Sequence, residues 1–201
     1  CTTCHDPHGA NLPLMFKGRM DKVCYTCHSD AETDFAQKHM HKPVRDGHCS
    51  SCHAGHGSSE TKLLKATGQK LCGQCHGDLS KEVKGNTVHA PFTGGVCQDC
   101  HAPHASNNAG MLVKEQGSLC LSCHADMGQK MKASAAVHKP VKDGSCTKCH
   151  NPHQAKLAKL LLAVSPDMCV VCHKDLKERL VKENKHSLAA SDCLICHGSH
   201  M

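Results

Sequence analysis

The chain of 201 residues contains 18 Cys and 20 His, but no Trp, one Tyr and three Phe. Because a protein of this length normally buries many aliphatic and aromatic side chains, the composition predicts that something other than side chains fills its interior. The net charge of +6 comes from Lys spread along the chain, which argues against a nucleic-acid-binding surface. No apolar run approaches the roughly 20 residues of a membrane span. The chain begins without Met or a signal peptide, which indicates a processed or partial sequence.

Cys and His recur together from the first residue onwards. Every Cys lies in a Cys-x-x-Cys-His cluster, and the nine clusters, numbered in chain order, span residues 1–5, 24–28, 49–53, 72–76, 97–101, 120–124, 146–150, 169–173 and 193–197. On a helical turn, residues i, i+3 and i+4 share one face, so both sulfurs can bond to one haem while the His binds its iron. This is the attachment signature of c-type haem. The sequence therefore predicts nine covalently bound haems c, each containing iron.

This prediction assigns two sets of residues and no catalytic residue. The thioether-forming residues are Cys1, Cys4, Cys24, Cys27, Cys49, Cys52, Cys72, Cys75, Cys97, Cys100, Cys120, Cys123, Cys146, Cys149, Cys169, Cys172, Cys193 and Cys196. The proximal iron ligands, called the proximal His below, are His5, His28, His53, His76, His101, His124, His150, His173 and His197.

Two other uses of repeated Cys fit the pattern less well. Zinc sites pair two Cys-x-x-Cys knuckles, but zinc does not require a His after every second Cys, and nine knuckles cannot be paired into Cys4 sites. A secreted disulfide framework has no use for a fixed three-residue offset or for the His. Covalent haem accounts for both features.

The clusters alternate between two types. The odd-numbered clusters continue as CHDPH, CHAGH, CHAPH, CHNPH and CHGSH, whereas the even-numbered clusters continue as CHSD, CHGD, CHAD and CHKD. One period of about 48 residues therefore holds two clusters. The predicted units are 1–48, 49–96, 97–145 and 146–192, each with two haems, and a terminal half repeat, 193–201, with one.

Local composition predicts the fold between the clusters. A short apolar patch, such as LPLMF or KLLLAV, follows each odd cluster except the last, and we expect it to lie against a porphyrin face. A segment of helical composition follows each even cluster, and Pro and Gly then stop the helix, as in HKPVRDGHC. We therefore expect mostly irregular coil with short α-helices and almost no β-structure, in an elongated repeat array organised around nine covalently bound haems.

The paired C-x-x-C-H clusters, with H-x-P-V-x-x-G-x-C between pairs, resemble the doubled-CXXCH family of multihaem c-type cytochromes. The resemblance covers the whole chain and implies electron transport outside the cytoplasm through closely stacked haems. Two departures stand out: Gly55 and Ser199 replace the Pro of CHxPH, and the last repeat lacks its second half.

Eleven His remain after the proximal His are assigned. Five of them, called the trailing His, follow an odd proximal His by three residues, and four, called the connector His, end the helical segments. The trailing His are His8, His56, His104, His153 and His200, and the connector His are His41, His89, His138 and His186. Because a surface role does not explain a His at a fixed offset in every repeat, we predict these nine as the distal iron ligands. His39 and His48 are in excess, and His39 is the substitute if His41 points elsewhere.

A trailing His cannot reach the opposite face of the haem on its own cluster, so it must serve a neighbouring haem. The resemblance to small multihaem cytochromes of the c3 type implies that each connector His serves the cluster that follows it, so that clusters three, five, seven and nine are supplied. Four trailing His, namely His8, His56, His104 and His153, would then serve clusters two, four, six and eight.

This assignment leaves cluster one without a distal ligand and His200 without a haem. Three explanations stay open. His200 of one copy binds the cluster-one haem of the next copy in a head-to-tail filament, or the sequence is cut from a longer array, or His39 or His48 folds back onto cluster one.

Two His ligands on each iron would leave no open position for a substrate, and the eight Met do not follow the repeat. The sequence therefore predicts a low-potential electron carrier with a continuous file of haems rather than an enzyme. The alternative is a multihaem reductase of a small oxyanion, which needs one haem with an open position. Because haem attachment to Cys is completed beyond the cytoplasmic membrane, we expect a periplasmic or extracellular protein. Its expected partners are other redox proteins, with further copies of itself or an outer-membrane conduit as further candidates.

Overall fold

The computed structural model describes residues 1–77, 79, 83–182, 187 and 192–201. Its α-helices are short and span α1 (Met20–Tyr25), α2 (Ser29–Asp34), α3 (Lys42–Arg45), α4 (Gly68–Cys72), α5 (Ala90–Thr93), α6 (Gln116–Cys123), α7 (Ala125–Ala133), α8 (Lys139–Lys142), α9 (Asp167–Val170) and α10 (Lys174–Leu180). Four strands of two residues each are β1 (His39–Met40), β2 (Thr87–Val88), β3 (Ala105–Ser106) and β4 (Gln154–Ala155). The prediction of mostly coil with short helices and little strand is confirmed.

Contacts divide the chain into two compact units, neither of which is continuous in sequence. The first unit comprises Cys1–Ser80 with Gly95–Glu115, and the second comprises Lys81–Gly94 with Gln116–Met201. In the first unit β1 pairs with β3, and in the second unit β2 pairs with β4, both in antiparallel register. These pairs join chain segments that are far apart in sequence. The five sequence repeats stay a prediction of the sequence period.

Three helices that follow even clusters begin directly after the proximal His. They are α2, α7 and α10, which follow His28, His124 and His173, and each carries an acidic residue in its first turn. A carboxylate there interacts favourably with the positive end of the helix dipole. The acidic residue of the even-cluster pattern CHxD is therefore also a helix-start signal. In the described ranges, no helix has both the length and the apolar character needed to cross a lipid bilayer.

The three helices α3, α5 and α8 each follow a connector His and share one design. Each has Pro in its first turn, where the missing N–H costs nothing. Two residues after each helix ends there is a Gly with a left-handed backbone: Gly47 (φ +77°), Gly95 (φ +67°) and Gly144 (φ +69°). Glycine adopts this conformation without the steric cost that a side chain would bring. Gly therefore ends each helix and sets the turn into the next odd cluster, but Pro lies at the helix start rather than stopping a helix as the sequence analysis expects, because its fixed φ suits the first turn.

Side-chain packing contributes little to this fold. Among the described residues, the buried hydrophobic side chains are Val23 and Ala105, at 8% and 7% exposure, and no large side chain is fully buried. Leu14 and Val171, by contrast, are 71% and 68% exposed. In the part of the chain that the structure describes, the two units therefore lack the apolar core that a chain of this length normally has.

Asp21 in α1 is a buried charged residue of the first unit, at 4% exposure. Its carboxylate accepts a hydrogen bond of 2.7 Å from Nε of Arg19 and a second one from Nη2 of Arg19. The Arg19 guanidinium holds the pKa of Asp21 below its usual range. Gly47 lies against the same carboxylate, since a Cβ at this position would be 3.0 Å from Cγ of Asp21. Asp21 thus links α1 to the turn before cluster three.

We predict that Asp21→Asn lowers the melting temperature by a few degrees at neutral pH, because the neutral amide loses the ion pair with Arg19. A carboxyl group whose pKa is lowered in the folded state contributes stability that is complete above its unfolded pKa of about 3.9 and is lost as the pH falls through the folded pKa. The difference between the variant and the parent protein should therefore shrink below about pH 4. Thermal melts followed by circular dichroism at several pH values measure this difference.

The matched control is Asp143→Asn, which removes the exposed ion pair between Lys139 Nζ and Asp143 Oδ2, 2.8 Å apart. Exposed pairs contribute little to stability, so this variant should melt close to the parent protein. An Asp21→Asn protein that melts like the control at neutral pH would contradict the role given to Asp21.

Candidate haem sites

All nine clusters have the same local backbone. In each, the N–H of the proximal His donates to the carbonyl of the first Cys, with distances between 2.9 and 3.1 Å. This is the hydrogen bond of one helical turn, and it places the two Cys and the His on one face. The helical turn predicted for each cluster is confirmed. Its residue types and geometry fit two thioether bonds and one axial bond to the same haem.

Each odd cluster that has a following loop is closed by that loop in the same way. The N–H after the proximal His donates to a carbonyl nine residues further on, as from Asp6 to Met15 (2.8 Å) and from Asn151 to Leu160 (2.8 Å). A second backbone bond returns to the second Cys, as from Lys17 to Cys4 (3.0 Å). The same two bonds recur in clusters three and five. We call this loop the clasp.

The clasp also orients the proximal His. Nδ1 of the ring lies within hydrogen-bond distance of a backbone carbonyl in each of four clusters: His5 with Leu14 (2.8 Å), His53 with Lys62 (2.8 Å), His101 with Gly110 (2.9 Å) and His150 with Lys159 (2.8 Å). A carbonyl can only accept, so Nδ1 carries the proton and Nε2 keeps the lone pair that binds a metal. The clasp therefore fixes the tautomer that an iron ligand needs.

Connector and trailing His meet side by side, at the two strand pairs for His41 and His89 and through a backbone hydrogen bond for His138. The backbone N–H of the connector His donates to the backbone carbonyl of the trailing His in three pairs: His41 to His104 (2.8 Å), His89 to His153 (2.9 Å) and His138 to His200 (3.0 Å). In these three pairs, Nδ1 of the connector ring lies within hydrogen-bond distance of the carbonyl of the residue that precedes the trailing His: Pro103 (3.0 Å), Pro152 (2.9 Å) and Ser199 (3.1 Å). Because the acceptor is a backbone carbonyl, Ser199 replaces Pro here without loss of the contact.

Six pairs of His rings recur at one spacing, and each pair contains one proximal His. Three connector His pair with even proximal His: His41 with His76 (6.0 Å between ring centroids), His89 with His124 (6.1 Å) and His138 with His173 (6.2 Å). Three trailing His pair with odd proximal His: His56 with His5 (5.9 Å), His104 with His53 (6.1 Å) and His200 with His150 (5.9 Å). The ring planes differ by between 11° and 33°.

This spacing fits an iron atom bound between the two rings. A metal–nitrogen bond to imidazole is about 2 Å, so two rings on opposite sides of one metal have centroids about 6 Å apart. Rings in direct face-to-face contact would lie closer together. Each pair would therefore accommodate one metal ion between its two rings.

These pairs differ from the pairing implied by the c3-type spacing. His41 lies beside cluster four rather than cluster three, His89 beside cluster six rather than five, and His138 beside cluster eight rather than seven. His56 lies beside cluster one rather than cluster four, and His104 beside cluster three rather than six. For His41 and His104 the physical reason is the antiparallel backbone pairing, which fixes the two residues next to each other and directs their rings to two consecutive clusters.

The filament hypothesis assumes that His200 has no haem within its own chain, and the structure places His200 differently. The ring of His200 lies beside His150 of the same chain, and cluster one finds its second ring in His56. Neither His39 nor His48 folds back onto cluster one. His39 lies in β1 opposite Ser106, and His48 is an exposed residue that immediately precedes cluster three.

His8 lies away from the ring pairs. The side chain of His8 is 96% exposed, with Nδ1 3.7 Å from the Asp6 carboxylate. Among the described residues, no His ring pairs with His8, His28 or His197. His153 contacts Phe92, with ring centroids 5.3 Å apart. His186 lies outside the described residues.

The surroundings of two trailing rings favour the neutral form of His. Burial and the nearby His53 lower the pKa of His104, and burial and the nearby His150 lower the pKa of His200. Only an unprotonated nitrogen binds a metal, so both shifts favour ligation. Phe35 adds a stacked contact to His104, with centroids 4.4 Å apart.

Consecutive clusters within a unit are neighbours. Burial and the adjacent Cys49 thiol raise the pKa of Cys24 to about 11, and burial and the adjacent Cys97 raise that of Cys72 to about 11. Cluster two thus lies beside cluster three, and cluster four beside cluster five. In the second unit, burial and the adjacent Cys193 thiol raise the pKa of Cys169.

Comparison with protein families identifies the repeats. A family model of the doubled CXXCH motif matches residues 1–33, 41–81, 89–129 and 138–178, and each match holds one odd cluster and the even cluster after it. The chain belongs to the doubled CXXCH motif family. Paired CXXCH motifs are those of multihaem c-type cytochromes, which bind haem c covalently and transfer electrons. Comparison of this doubled-CXXCH chain with curated proteins gives no match.

Two features of the sites in this doubled-CXXCH protein were missed by sequence reasoning. The clasp carbonyls were not predicted, although each lies nine residues after its proximal His, an interval that the sequence repeats four times. The ring pairs were also missed, although the interval between connector and partner is constant (41 to 76, 89 to 124 and 138 to 173).

We predict that His56→Ala, in the haem-loaded chain, creates one high-spin haem, because the ring beside His5 is lost. His8→Ala is the matched control, since it changes the equivalent trailing His in another repeat, where the side chain is exposed. It should leave the number of low-spin haems unchanged. Electron paramagnetic resonance and visible spectra count high-spin and low-spin haems. Equal loss of ligation in both variants, or none in either, would contradict the ring pairs.

Proposed function

We propose that the chain is a nonahaem c-type cytochrome that carries electrons between redox partners outside the cytoplasm. The 18 Cys would hold nine haems, and each of the nine proximal His would bind one iron. In the six ring pairs, the second His would complete the coordination, giving iron with two His ligands. A haem bound in this way supplies one-electron redox chemistry at low potential.

The observation that carries this proposal is the recurrence of the ring pairs. Their centroid distances stay between 5.9 and 6.2 Å, although two different classes of His supply the second ring. Ordinary ring contacts vary more widely in distance. A common spacing in both units is expected if each pair has the same metal centre to hold.

The chain's own residues would then serve electron transfer in three ways. A pair such as His53 and His104 would give an iron two imidazole ligands and would leave no position for a substrate. Backbone carbonyls hold the rings in place, so the ligands need not reorganise when the oxidation state changes. The neighbouring Cys24 and Cys49, and likewise Cys72 and Cys97, would bring consecutive haems close together.

The chemistry of haem attachment supports a location outside the cytoplasm. Thioether bonds to two Cys are formed on exported protein, so we place the protein in the periplasm or at the cell exterior. Other redox proteins would be its partners. The net charge of +6 on the polypeptide would compensate for the haem propionates and influence how these partners approach.

A haem count and a turnover assay test the proposal. We expect pyridine haemochrome analysis to give nine haems per chain, and reduction by dithionite to be complete without turnover of nitrite, hydroxylamine or sulfite. Chain expressed without the haem-attachment machinery is the control for nonspecific haem. Steady turnover of an oxyanion, together with a haem that binds it, would favour the reductase instead. Fewer than nine haems would contradict the assignment of all 18 Cys.

A further inference from the structure

The clasp has an unusual backbone. At its tip, two successive residues adopt left-handed conformations in each of four repeats: Leu14 and Met15, Lys62 and Leu63, Gly110 and Met111, and Lys159 and Leu160, with φ between +53° and +66°. Seven of these eight residues have side chains. A left-handed backbone carries a steric cost at any residue other than Gly, and the second tip position carries this cost in all four clasps.

Chain reversal alone does not require this conformation at bulky residues. Gly at the first tip position would form the same turn without the steric cost, and only the third clasp has it, at Gly110. What the four tips share is the direction of one carbonyl. In each, the first left-handed residue presents its carbonyl to Nδ1 of the proximal His at 2.8 or 2.9 Å.

The even clusters provide an internal comparison. Within the described residues, no such carbonyl lies on Nδ1 of His76, His124 or His173. Their pairs are held instead from the other ring, since the connector His41, His89 and His138 have the carbonyl contact. Odd pairs are thus anchored on the proximal ring, and even pairs on the distal ring.

We propose that the first left-handed residue of each clasp is a positioning residue that tunes the haem of its odd cluster. A carbonyl on Nδ1–H increases the electron donation of the ring to the metal, and such second-shell contacts adjust both ligand strength and potential. Stronger donation favours ferric iron, so the clasp lowers the reduction potential of the odd haem. This inference rests on the proposed function, because it requires iron on the proximal His.

Substitutions at Lys159 separate the carbonyl contact from the side chain. Lys159→Gly retains the left-handed turn, whereas Lys159→Pro, with φ fixed near −65°, forbids it and withdraws the carbonyl from His150. Both variants remove the same positive charge, so they differ mainly in backbone conformation. Lys159→Val is a milder third variant, because a β-branched residue strongly disfavours a left-handed backbone while it leaves φ free.

Spectroelectrochemical titration of the haem-loaded proteins is the first measurement. We expect the amplitude of one haem to move to a more positive potential in Lys159→Pro and Lys159→Val, and no such movement in Lys159→Gly. The second measurement is exchange of the Nδ1 proton of His150 with solvent, followed by NMR of the reduced protein with ¹⁵N-labelled His. This proton should exchange faster only in the Pro and Val variants.

The outcomes distinguish the inference from the function on which it rests. If the parent protein holds a low-spin haem on His150 but the Gly, Val and Pro variants titrate alike, the clasp does not tune the haem and the inference is wrong. If the parent protein lacks an iron bound to His150, the proposed function itself fails at this cluster. If Lys159→Pro does not mature, the comparison of Lys159→Val with Lys159→Gly decides.

Discussion

The rest of this structure depends on pairs of imidazole rings whose centroids lie about 6 Å apart. Each pair closes a loop of 35 residues, as from His41 to His76, or of about 50, as from His5 to His56. Closing such a loop costs roughly 3 kcal/mol of chain entropy. Full burial of a side chain such as Val23 contributes only about 2 kcal/mol, and Val23 and Ala105 are the buried apolar residues of the described chain. In the proposed cytochrome, bonds from both rings to one iron supply the missing stabilisation.

The backbone arranges these pairs with two devices that differ between odd and even clusters. The clasp fixes the proximal ring of an odd cluster, whereas the two-residue strands fix a connector and a trailing His side by side. Because His41 and His104 are neighbours but face clusters four and three, one strand pair couples two consecutive sites. The order of the sites in space therefore follows from backbone hydrogen bonds rather than from packing of apolar side chains.

Much of this arrangement is present in the sequence, but its pairing is not. The Cys-x-x-Cys-His clusters, the helical segments after the even clusters and the Gly of the connector turns have local sequence signals, whereas the Pro of these turns begins a helix that the sequence did not predict. The strands have no alternating pattern, since two residues are too few for one, so their register was not predictable. A left-handed backbone is expected at Gly110, but Lys62 and Lys159 give no sign of it, because the tertiary contact to the ring overrides their local preference.

The location of iron relative to the ring pairs tests this account most directly. Crystals of the haem-loaded chain, measured at the iron absorption edge, should give anomalous peaks on the line between the rings of His53 and His104, and likewise in the five other pairs. Two imidazoles would then bind each of these irons, one from the cluster and one from the predicted partner. An iron on His53 whose second ligand is His41, or any residue other than His104, would contradict the account.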